Sequence, residues 1–278
     1  MTHVDEERVV AEFRAHAGRV GGYERRRLLL LTTRGPEGAR TTPLTYLPDG
    51  DRVLVVAPAP TSSDASATRP AWFRDVVADP VVTVEDGPFA FETRAEVLGD
   101  DARDGLLGRL VEAGAAADED EARTVVVVAL PRARGGPPPG VPWGQALVLL
   151  HDTFRRELAL IRDEVARGGP APGAQLRVAC LTVCAGLHQH HHGEDAGMFP
   201  MLARDAAHGP ALAPVLDRLR AEHAVIAALL DELRAAVRAD GSDGDAVLRE
   251  VDRLVEELGR HLAYEEEQLV PVLDAAGG

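Results

Sequence analysis

Short runs of aliphatic and β-branched residues alternate with turn-forming residues through the first 130 positions of the chain. Six runs have the length and composition of strands, at residues 27–33, 40–47, 51–57, 81–85, 89–98 and 123–130. Segments such as "PDGD" and "EDGP" between neighbouring runs are typical of hairpin turns. Helical patterns occur at residues 4–18, 70–78 and 100–116. Six strands with few helices predict a small antiparallel barrel rather than a doubly wound sheet.

From Trp143 onward the pattern changes to the period of amphipathic helices, and no further strand candidate occurs. Four long segments have this period, at residues 143–167, 174–205, 210–239 and 244–275. Proline and glycine separate the first three segments, and "DGSDGD" separates the last two. Short connections between four helices of comparable length predict an all-α, up-down four-helix bundle.

The segment "RARGGPPPGVP", residues 132–142, is rich in proline and glycine and interrupts any regular element. A chain of 278 residues exceeds the usual size of one domain, and each side of this segment is long enough to bury a core. The sequence therefore predicts two domains, a barrel at residues 1–131 and a bundle at 143–278, with a linker between them.

Charge and composition indicate which classes of molecule this protein does not bind. The formal net charge of -15 argues against nucleic acid or an anionic membrane, because both require a basic face. No stretch approaches the roughly 18 apolar residues of a membrane span. The two cysteines, Cys180 and Cys184, lie four residues apart on one predicted helix, which favours reduced, buried thiols over a disulfide. We therefore expect a cytoplasmic protein that binds small molecules or metal ions.

The segment "HQHHHGEDAGMFP", residues 188–200, places four histidines and one glutamate within seven positions. A polar loop would be indifferent to helical phase, whereas a metal site in a bundle needs its ligands on the inward faces. Each predicted helix has one histidine in phase with its apolar stripe, namely His151, His190, His223 and His261. Glu194 and Glu265 each follow an inward histidine by four residues.

Buried carboxylates are costly unless a cation balances their charge. A single core histidine is typically a hydrogen-bonded packing residue, but four on four helices together with two glutamates favour a metal site. These donors exceed the four-coordinate shell of zinc, so two ions bridged by Glu194 and Glu265 are expected. Iron is the first choice, followed by manganese or zinc. The Glu-x-x-His pairs of ferritin-like di-iron bundles do not occur after residue 142.

Four motifs across residues 143–275 resemble the hemerythrin-like HHE cation-binding domain: "LLHDTF", "HQHHHGEDAGMFP", "LRAEHAVI" and "HLAYEEEQLVPVL". The resemblance implies a non-haem di-iron centre whose ligands are His151, His190, Glu194, His223, His261 and Glu265. Hemerythrins have a second histidine on the third helix, four residues after the first, where this chain has Ala227. This departure argues against simple reversible oxygen carriage.

Several neighbouring residues extend or compete with this ligand set. Some relatives use the residue beside the second-helix histidine, so we expect His191 to replace the ligand that is missing at position 227. Glu266 is the alternative to Glu265, because a five-residue spacing also occurs in the family. His188 and His192 point to other faces of the helix and are expected to be solvated.

The first half contains the motifs "VAEFRAHAGRVGG", "LLLLTTRGPEGARTTPLTYL" and "RPAWFRDVVADPVVTVE". Over residues 5–130 these motifs resemble the deazaflavin-dependent nitroreductase family, a split β-barrel that binds coenzyme F420. The resemblance implies coenzyme contacts at Arg40, Thr41, Thr42, Pro43, Arg69 and Trp72, with Arg34 as a further candidate. Two features depart from the family: "APAPTSSDASATRPAW" lacks glycine, and the loop near Gly35 lacks lysine. Alternatively, Trp72 is a packing anchor and the barrel serves only to form a homodimer.

Three functions are compatible with these features. In the first, reduced deazaflavin in the barrel supplies electrons to the di-iron bundle, which binds, senses or reduces oxygen, peroxide or nitric oxide. In the second, the bundle is a non-enzymatic oxygen or iron sensor and the barrel is its dimerisation platform. In the third, the barrel reduces quinones or nitroaromatics and the bundle regulates it.

Overall fold

The computed structural model describes residues 3–23, 26–59, 69–132, 141–168, 172–205, 209–239, 241 and 243–276. The chain divides into two compact units. One comprises residues 1–138 with 173–178, and the other comprises 139–172 with 179–278. The division after residue 138 falls in the predicted linker, of which positions 133–140 lie outside the described residues.

The first unit is built on an antiparallel sheet of seven strands in the described residues. The strands are β1 (Leu28–Gly35), β2 (Gly38–Asp49), β3 (Arg52–Ala57), β4 (Val81–Asp86), β5 (Phe89–Arg94), β6 (Glu96–Val97) and β7 (Val126–Pro131). Their order across the sheet is β5-β4-β1-β2-β3-β7-β6. The helices of this unit are α1 (His3–Ala15), α2 (Ala71–Ala78), α3 (Asp100–Asp104), α4 (Leu107–Glu112) and α5 (Glu119–Ala122).

The two ends of this sheet are consecutive in the chain. β5 pairs with β4, β6 pairs with β7, and only Ala95 separates β5 from β6. The Ala95 amide donates to the carbonyl of Pro80 at 2.8 Å, outside both ladders. A sheet whose opposite edges are joined in this way must curl towards closure. The split-barrel fold is therefore confirmed, whereas the single strand predicted at residues 89–98 was wrong, because the chain changes sheet partners at Ala95.

Local sequence explains the remaining strand geometry. The hairpins β2–β3 and β4–β5 turn through Gly50 and Gly87, which have φ of 67° and 60°, so both predicted turns are confirmed. The run from Leu28 to Leu31 is buried on both faces of β1. Leu28 and Leu30 pack with residues of α1, whereas Leu29 and Leu31 face the main barrel core. The helix predicted at 100–116 instead breaks after α3 at Gly105, because glycine is a poor helix former.

Replacing Gly35 by alanine is expected to destabilise the barrel by about 1–3 kcal/mol. A Cβ atom at Gly35 would collide with the carboxylate of Asp75, which also accepts a hydrogen bond from Thr33 Oγ1 at 3.0 Å. The test is denaturant unfolding beside Gly108→Ala, because Gly108 is an exposed helical glycine with open space where its Cβ would lie. Equal stability of the two variants would contradict the prediction.

The second unit contains the long helices predicted from sequence, except that the first five residues of the second of them, 174–178, belong to the first unit. They are α6 (Trp143–Arg167), α7 (Ala174–Gly193), α8 (Phe199–Ala203), α9 (Gly209–Arg238) and α10 (Gly244–Ala276). Between α7 and α8, Glu194–Met198 form a turn of π-helix, in which the Phe199 amide donates to the carbonyl of Glu194. Pro200 has no N–H and its ring would clash with the preceding turn of a regular α-helix, which favours this widening.

Neighbouring helices of the second unit run antiparallel. On α6, His151 contacts His190 of α7, and Phe154 lies beside the earlier Gly186. α6 and α10 are joined near both ends, where Gly144 N donates to Asp274 Oδ1 at 2.9 Å and Arg162 pairs with Asp252. On α9 and α10, Glu222 pairs with His261 and Glu232 with Arg253. These pairings confirm the up-down order of the predicted bundle.

The two cysteines are buried, as predicted. Cys180 and Cys184 are buried thiols that are not joined by a disulfide, and burial raises the pKa of Cys184 to about 12. Among the described residues, no helix combines the length and apolar character that crossing a membrane requires.

Candidate metal centre

Adjacent histidines on α7 reach two different places in the bundle interior. Successive helical residues are about 100° apart, so His190 and His191 project on either side of the inward direction. Glu194, four residues after His190, falls about 40° from it and therefore lies between the two imidazoles in projection. The sequence of this single turn thus provides one histidine for each of two sites and a carboxylate between them.

The structure brings the seven predicted ligands together in two groups whose ligand atoms lie within 4.8 Å of one another. The three-histidine group contains His191, His223 and His261. The His/Glu group contains His151, His190, Glu194 and Glu265. All seven side chains are buried or nearly so, with His190 the least enclosed.

Both glutamates lie between the two groups. Glu194 Oε1 is 3.1 Å from His190 Nε2, and its Oε2 is 3.4 Å from His223 Nε2. Glu265 Oε2 is 3.5 Å from His151 Nε2 and 3.6 Å from His261 Nε2. Each carboxylate therefore contacts one imidazole of each group, which is the placement that a bridging ligand needs.

Five of the seven proposed ligands have donor atoms without a hydrogen-bond partner among the described residues. Buried atoms without a partner among the described residues include both carboxylate oxygens of Glu194 and Glu265 and the Nε2 atoms of His191, His223 and His261. Orphaned buried polar atoms are rare in folded proteins, and each one calls for a cause. A cation between them would accept every one of these lone pairs, so the residues fit a metal centre.

Burial determines the protonation of the metal-free site. It lowers the pKa of all five imidazoles, to about 4 for His261, so their lone pairs are available to a metal near neutral pH. It raises the pKa of Glu194 and Glu265, because two carboxylates in this interior cannot both be charged without a cation. A bound cation reverses the second effect and favours the ionised form.

These shifts predict that the metal-free protein is most stable near pH 6.5, the ordinary pKa of histidine. Below that pH, the unfolded histidines bind protons that the buried ones do not, so stability rises with pH. Above it, the folded glutamates retain protons that the unfolded chain has released, because their ordinary pKa is 4.5, so stability falls.

Denaturant midpoints of chelator-treated protein across this range measure the effect. The matched control is a Glu194→Gln, Glu265→Gln double variant, which should lose the decline above pH 6.5. A wild-type midpoint that climbs steadily to alkaline pH would contradict the prediction.

In three of the five histidines of the site, the ring nitrogen that faces away from the centre, Nδ1, lies within hydrogen-bond distance of a further acidic residue. His151 Nδ1 lies 2.8 Å from Glu266 Oε1, His223 Nδ1 lies 3.0 Å from Asp195 Oδ1, and His261 Nδ1 lies 3.0 Å from Glu222 Oε2. This position makes Glu266 a partner of a ligand and favours Glu265 as the ligand itself.

From sequence, Glu266 was predicted only as an alternative ligand, and Asp195 and Glu222 were not predicted at all. Each of these three acidic residues is directly beside a predicted ligand in the sequence. The pairs are Glu194–Asp195, Glu222–His223 and Glu265–Glu266, and this adjacency was the signal that could have identified them. Two other histidines of the same segment, His188 and His192, are exposed, as expected.

In the barrel unit, the predicted coenzyme contacts have different surroundings. Alternation along β2 places Arg40 opposite Thr33, with its Nε 3.9 Å from Asp75, whereas Thr41 turns the other way and bonds Thr32 at 2.8 Å. Thr42 and Pro43 are buried. Arg69 contacts the carbonyls of Pro58 and Thr124, and its guanidinium lies over the Phe73 ring.

Trp72 lies in the barrel core and is 4% exposed, which matches the packing alternative. Arg34 is exposed. The segment before Arg69 lies outside the described residues. The six coenzyme contacts therefore remain a prediction.

Comparison with protein families gives one match for each half. Residues 6–131 match the F420H(2)-dependent quinone reductase family, and residues 145–273 match the hemerythrin HHE cation binding domain. The order of the matches confirms the predicted fusion of a deazaflavin-family barrel with a hemerythrin-like bundle.

Several solved structures are also similar to parts of this chain. One described as a domain-swapped dimer is 26% identical, covers 38% of this chain and 80% of its own, and has a TM-score of 0.32. The heme storage protein HutZ from Vibrio cholerae is 15% identical, with coverage of 46% and 91% and a TM-score of 0.30. An F420 reductase is 15% identical, with coverage of 41% and 95% and a TM-score of 0.26. Comparison with curated proteins gives no match.

Proposed function

We propose that this chain, which joins a barrel similar to F420H2-dependent quinone reductases to a hemerythrin-like cation-binding bundle, is a non-haem di-iron redox protein. The observation that supports two ions is the division of seven buried donors into two groups with a carboxylate spanning them on either side. Mixed imidazole and carboxylate donors suit iron, with manganese and zinc as the other candidates.

The two ions would differ in the number of protein donors. The three-histidine group, with one oxygen from each glutamate, offers five donors, whereas the His/Glu group offers four. Iron takes up to about six ligands, so an ion held by the His/Glu group would keep more of its coordination shell for an external ligand. His190, the least enclosed ligand, belongs to the same group. We infer that a small oxidant such as oxygen, peroxide or nitric oxide binds there.

The barrel is proposed to bind reduced deazaflavin as the electron donor. A hydride is equivalent to two electrons and one proton, so two ferric ions would take up the electrons in becoming ferrous and the proton would be released to solvent. The family match over residues 6–131 supports this assignment. Arg40 is the cationic side chain proposed for the anionic coenzyme tail, which would compete with its present ion pairs to Glu37 and Asp75.

Metal analysis and an anaerobic titration test these proposals in turn. Protein purified without added metal is expected to contain about two irons per chain and to absorb in the near ultraviolet. Anaerobic addition of reduced F420 is expected to bleach that absorption with one coenzyme oxidised per two irons reduced. Absence of metal would overturn the di-iron proposal. Retained iron that reduced F420 does not bleach would overturn only the deazaflavin proposal, leaving the sensor hypothesis.

We also propose a homodimer formed through the barrel. Two large apolar side chains of that unit, Val77 and Val97, are 62% and 44% exposed, and Val97 lies in the short strand at one end of the sheet. A second copy that covers these side chains would remove them from water, which favours association. Sedimentation equilibrium of the wild type and a Val77→Glu variant would distinguish a dimer that uses this surface from a monomer.

A further inference from the structure

The acidic partners of the histidines share one rule of placement. Asp195, Glu222 and Glu266 are each adjacent in sequence to a proposed ligand, yet each contacts a histidine on a different helix. We call these three residues the outer carboxylates. Asp195 reaches from the π-turn to α9, Glu222 from α9 to α10, and Glu266 from α10 to α6.

Helix geometry explains why the contacts proceed in one direction around the bundle. When one residue points inward, its sequence neighbour is rotated by about 100° and points towards an adjacent helix. In the π-turn that continues α7, and on α10, the outer carboxylate comes after the ligand, whereas on the antiparallel α9 it precedes the ligand. Because α9 runs in the opposite direction and its carboxylate is on the opposite side of the ligand in sequence, the two reversals cancel. Viewed down the bundle, all three carboxylates are therefore rotated in the same sense from the ligand beside them, towards the next helix.

The fourth junction, from α6 to α7, has no carboxylate at the corresponding position. The residue that precedes His151 on α6 is Leu150, which is half-buried. At this junction the two imidazoles themselves are in contact, with His151 Nε2 and His190 Nε2 3.2 Å apart. The ring of outer carboxylates is therefore open beside α7, among the residues that the structure describes.

Arginines form a layer outside two of the outer carboxylates. Arg155 Nη1 lies 2.8 Å from the same oxygen of Glu266 that contacts His151. Arg218 Nε lies 2.8 Å from Glu222 Oε1, while the other oxygen of Glu222 contacts His261. Each glutamate is held from outside and presents an acceptor to an imidazole. This arrangement fixes an Nδ1–H tautomer and leaves the Nε2 lone pair facing the centre.

We propose that Asp195, Glu222 and Glu266 are positioning residues of the metal centre, which orient three ligand imidazoles and increase their electron donation to the ions. The inference rests on the proposed metal-binding function. A carboxylate behind an imidazole makes the ligand more basic, which strengthens metal binding and favours the more highly charged oxidation state. The three-histidine group has two such imidazoles and the His/Glu group has one.

The test compares Glu222→Gln and Glu266→Gln with Glu232→Gln in the full-length, metal-free protein. Glu232 is a matched control because it is also on a bundle helix and pairs with an arginine, Arg253, but contacts no histidine among the described residues. The probe is Co²⁺, whose affinity is measured by competition with a chelator. We expect binding about 10- to 100-fold weaker in each of the first two variants. The control should stay within about twofold of the wild type, as for an exposed ion pair.

A second readout separates positioning from general destabilisation. The midpoint potential of the iron-loaded protein is expected to rise in Glu222→Gln, because the amide still accepts a hydrogen bond but no longer supplies negative charge. Glu222→Ala removes both the charge and the acceptor, so it should bind Co²⁺ more weakly than Glu222→Gln. Wild-type affinity and potential in all these variants would overturn the inference. A wild-type protein that binds neither Co²⁺ nor iron would instead overturn the proposed function.

Discussion

Replacing Glu194 by alanine is expected to empty both metal sites, whereas replacing His190 by alanine is expected to empty one. The reason is geometric, because the two oxygens of Glu194 face histidines of different groups at 3.1 and 3.4 Å. His190 belongs only to the His/Glu group, and its loss leaves the three-histidine group intact. Metal content should fall from about two ions per chain towards none for Glu194→Ala and towards about one for His190→Ala.

The control for this experiment is His192→Ala, which removes an exposed histidine from the same turn of α7. It should retain the full metal content. Elemental analysis together with circular dichroism would show whether loss of metal accompanies loss of helix. Two ions remaining in a folded Glu194→Ala variant would refute the bridging role of this carboxylate.

Replacing Phe199 by alanine is expected to destabilise the bundle by about 3–5 kcal/mol. The Phe199 ring is fully buried and lies nearly parallel to the imidazole of His223, with centroids 5.4 Å apart and an angle of 16° between the rings. The imidazole of His191 also stacks on that of His223, with centroids 4.2 Å apart. Removing the phenyl ring would therefore leave a cavity directly beside a ligand of the three-histidine group.

Met201→Ala provides the comparison, because Met201 lies on the same short helix as Phe199 but is 55% exposed. Its substitution should change stability by no more than about 0.5 kcal/mol. Thermal unfolding of both variants with and without metal would measure the difference. Similar midpoints for the two variants would show that the ring contributes little to the bundle.

The bundle and the clustering of its inward histidines and glutamates could be predicted because helical phase depends only on sequence spacing. An inward histidine on each helix, together with a glutamate four residues later on two of them, defines six of the seven inner donors without knowledge of any contact between helices. His191, the seventh, was also found, although its assignment depended on family resemblance and on the alanine at position 227. Helical phase alone does not reveal that the imidazoles of His190 and His191 belong to different groups of donors.

Features that depend on contacts between elements could not be predicted in the same way. The role of Glu222 requires knowing that α10 lies beside α9, and the π-turn after Glu194 depends on the balance between Pro200 and the surrounding core. In the barrel, the alternation of Arg40 and Thr41 was implicit in the sequence, but the change of partner at Ala95 was not. Strand propensity is a property of one segment, whereas the change of partner at Ala95 depends on which strands form the two edges of the sheet.

The π-turn has a consequence for insertions and deletions in this part of the chain. A π-helical turn contains one residue more than an α-helical turn, so the turn at Glu194–Met198 holds an extra residue without changing the face to which α8 points. Deleting Ala196 or Gly197 would place Phe199 four residues after Glu194, where its amide would donate to the Glu194 carbonyl in an α-helical turn instead of the π-helical turn that it closes now. The aromatic side chain would therefore keep its direction relative to the proposed ligands, so loss of one codon from this turn is expected to leave metal binding and packing in register.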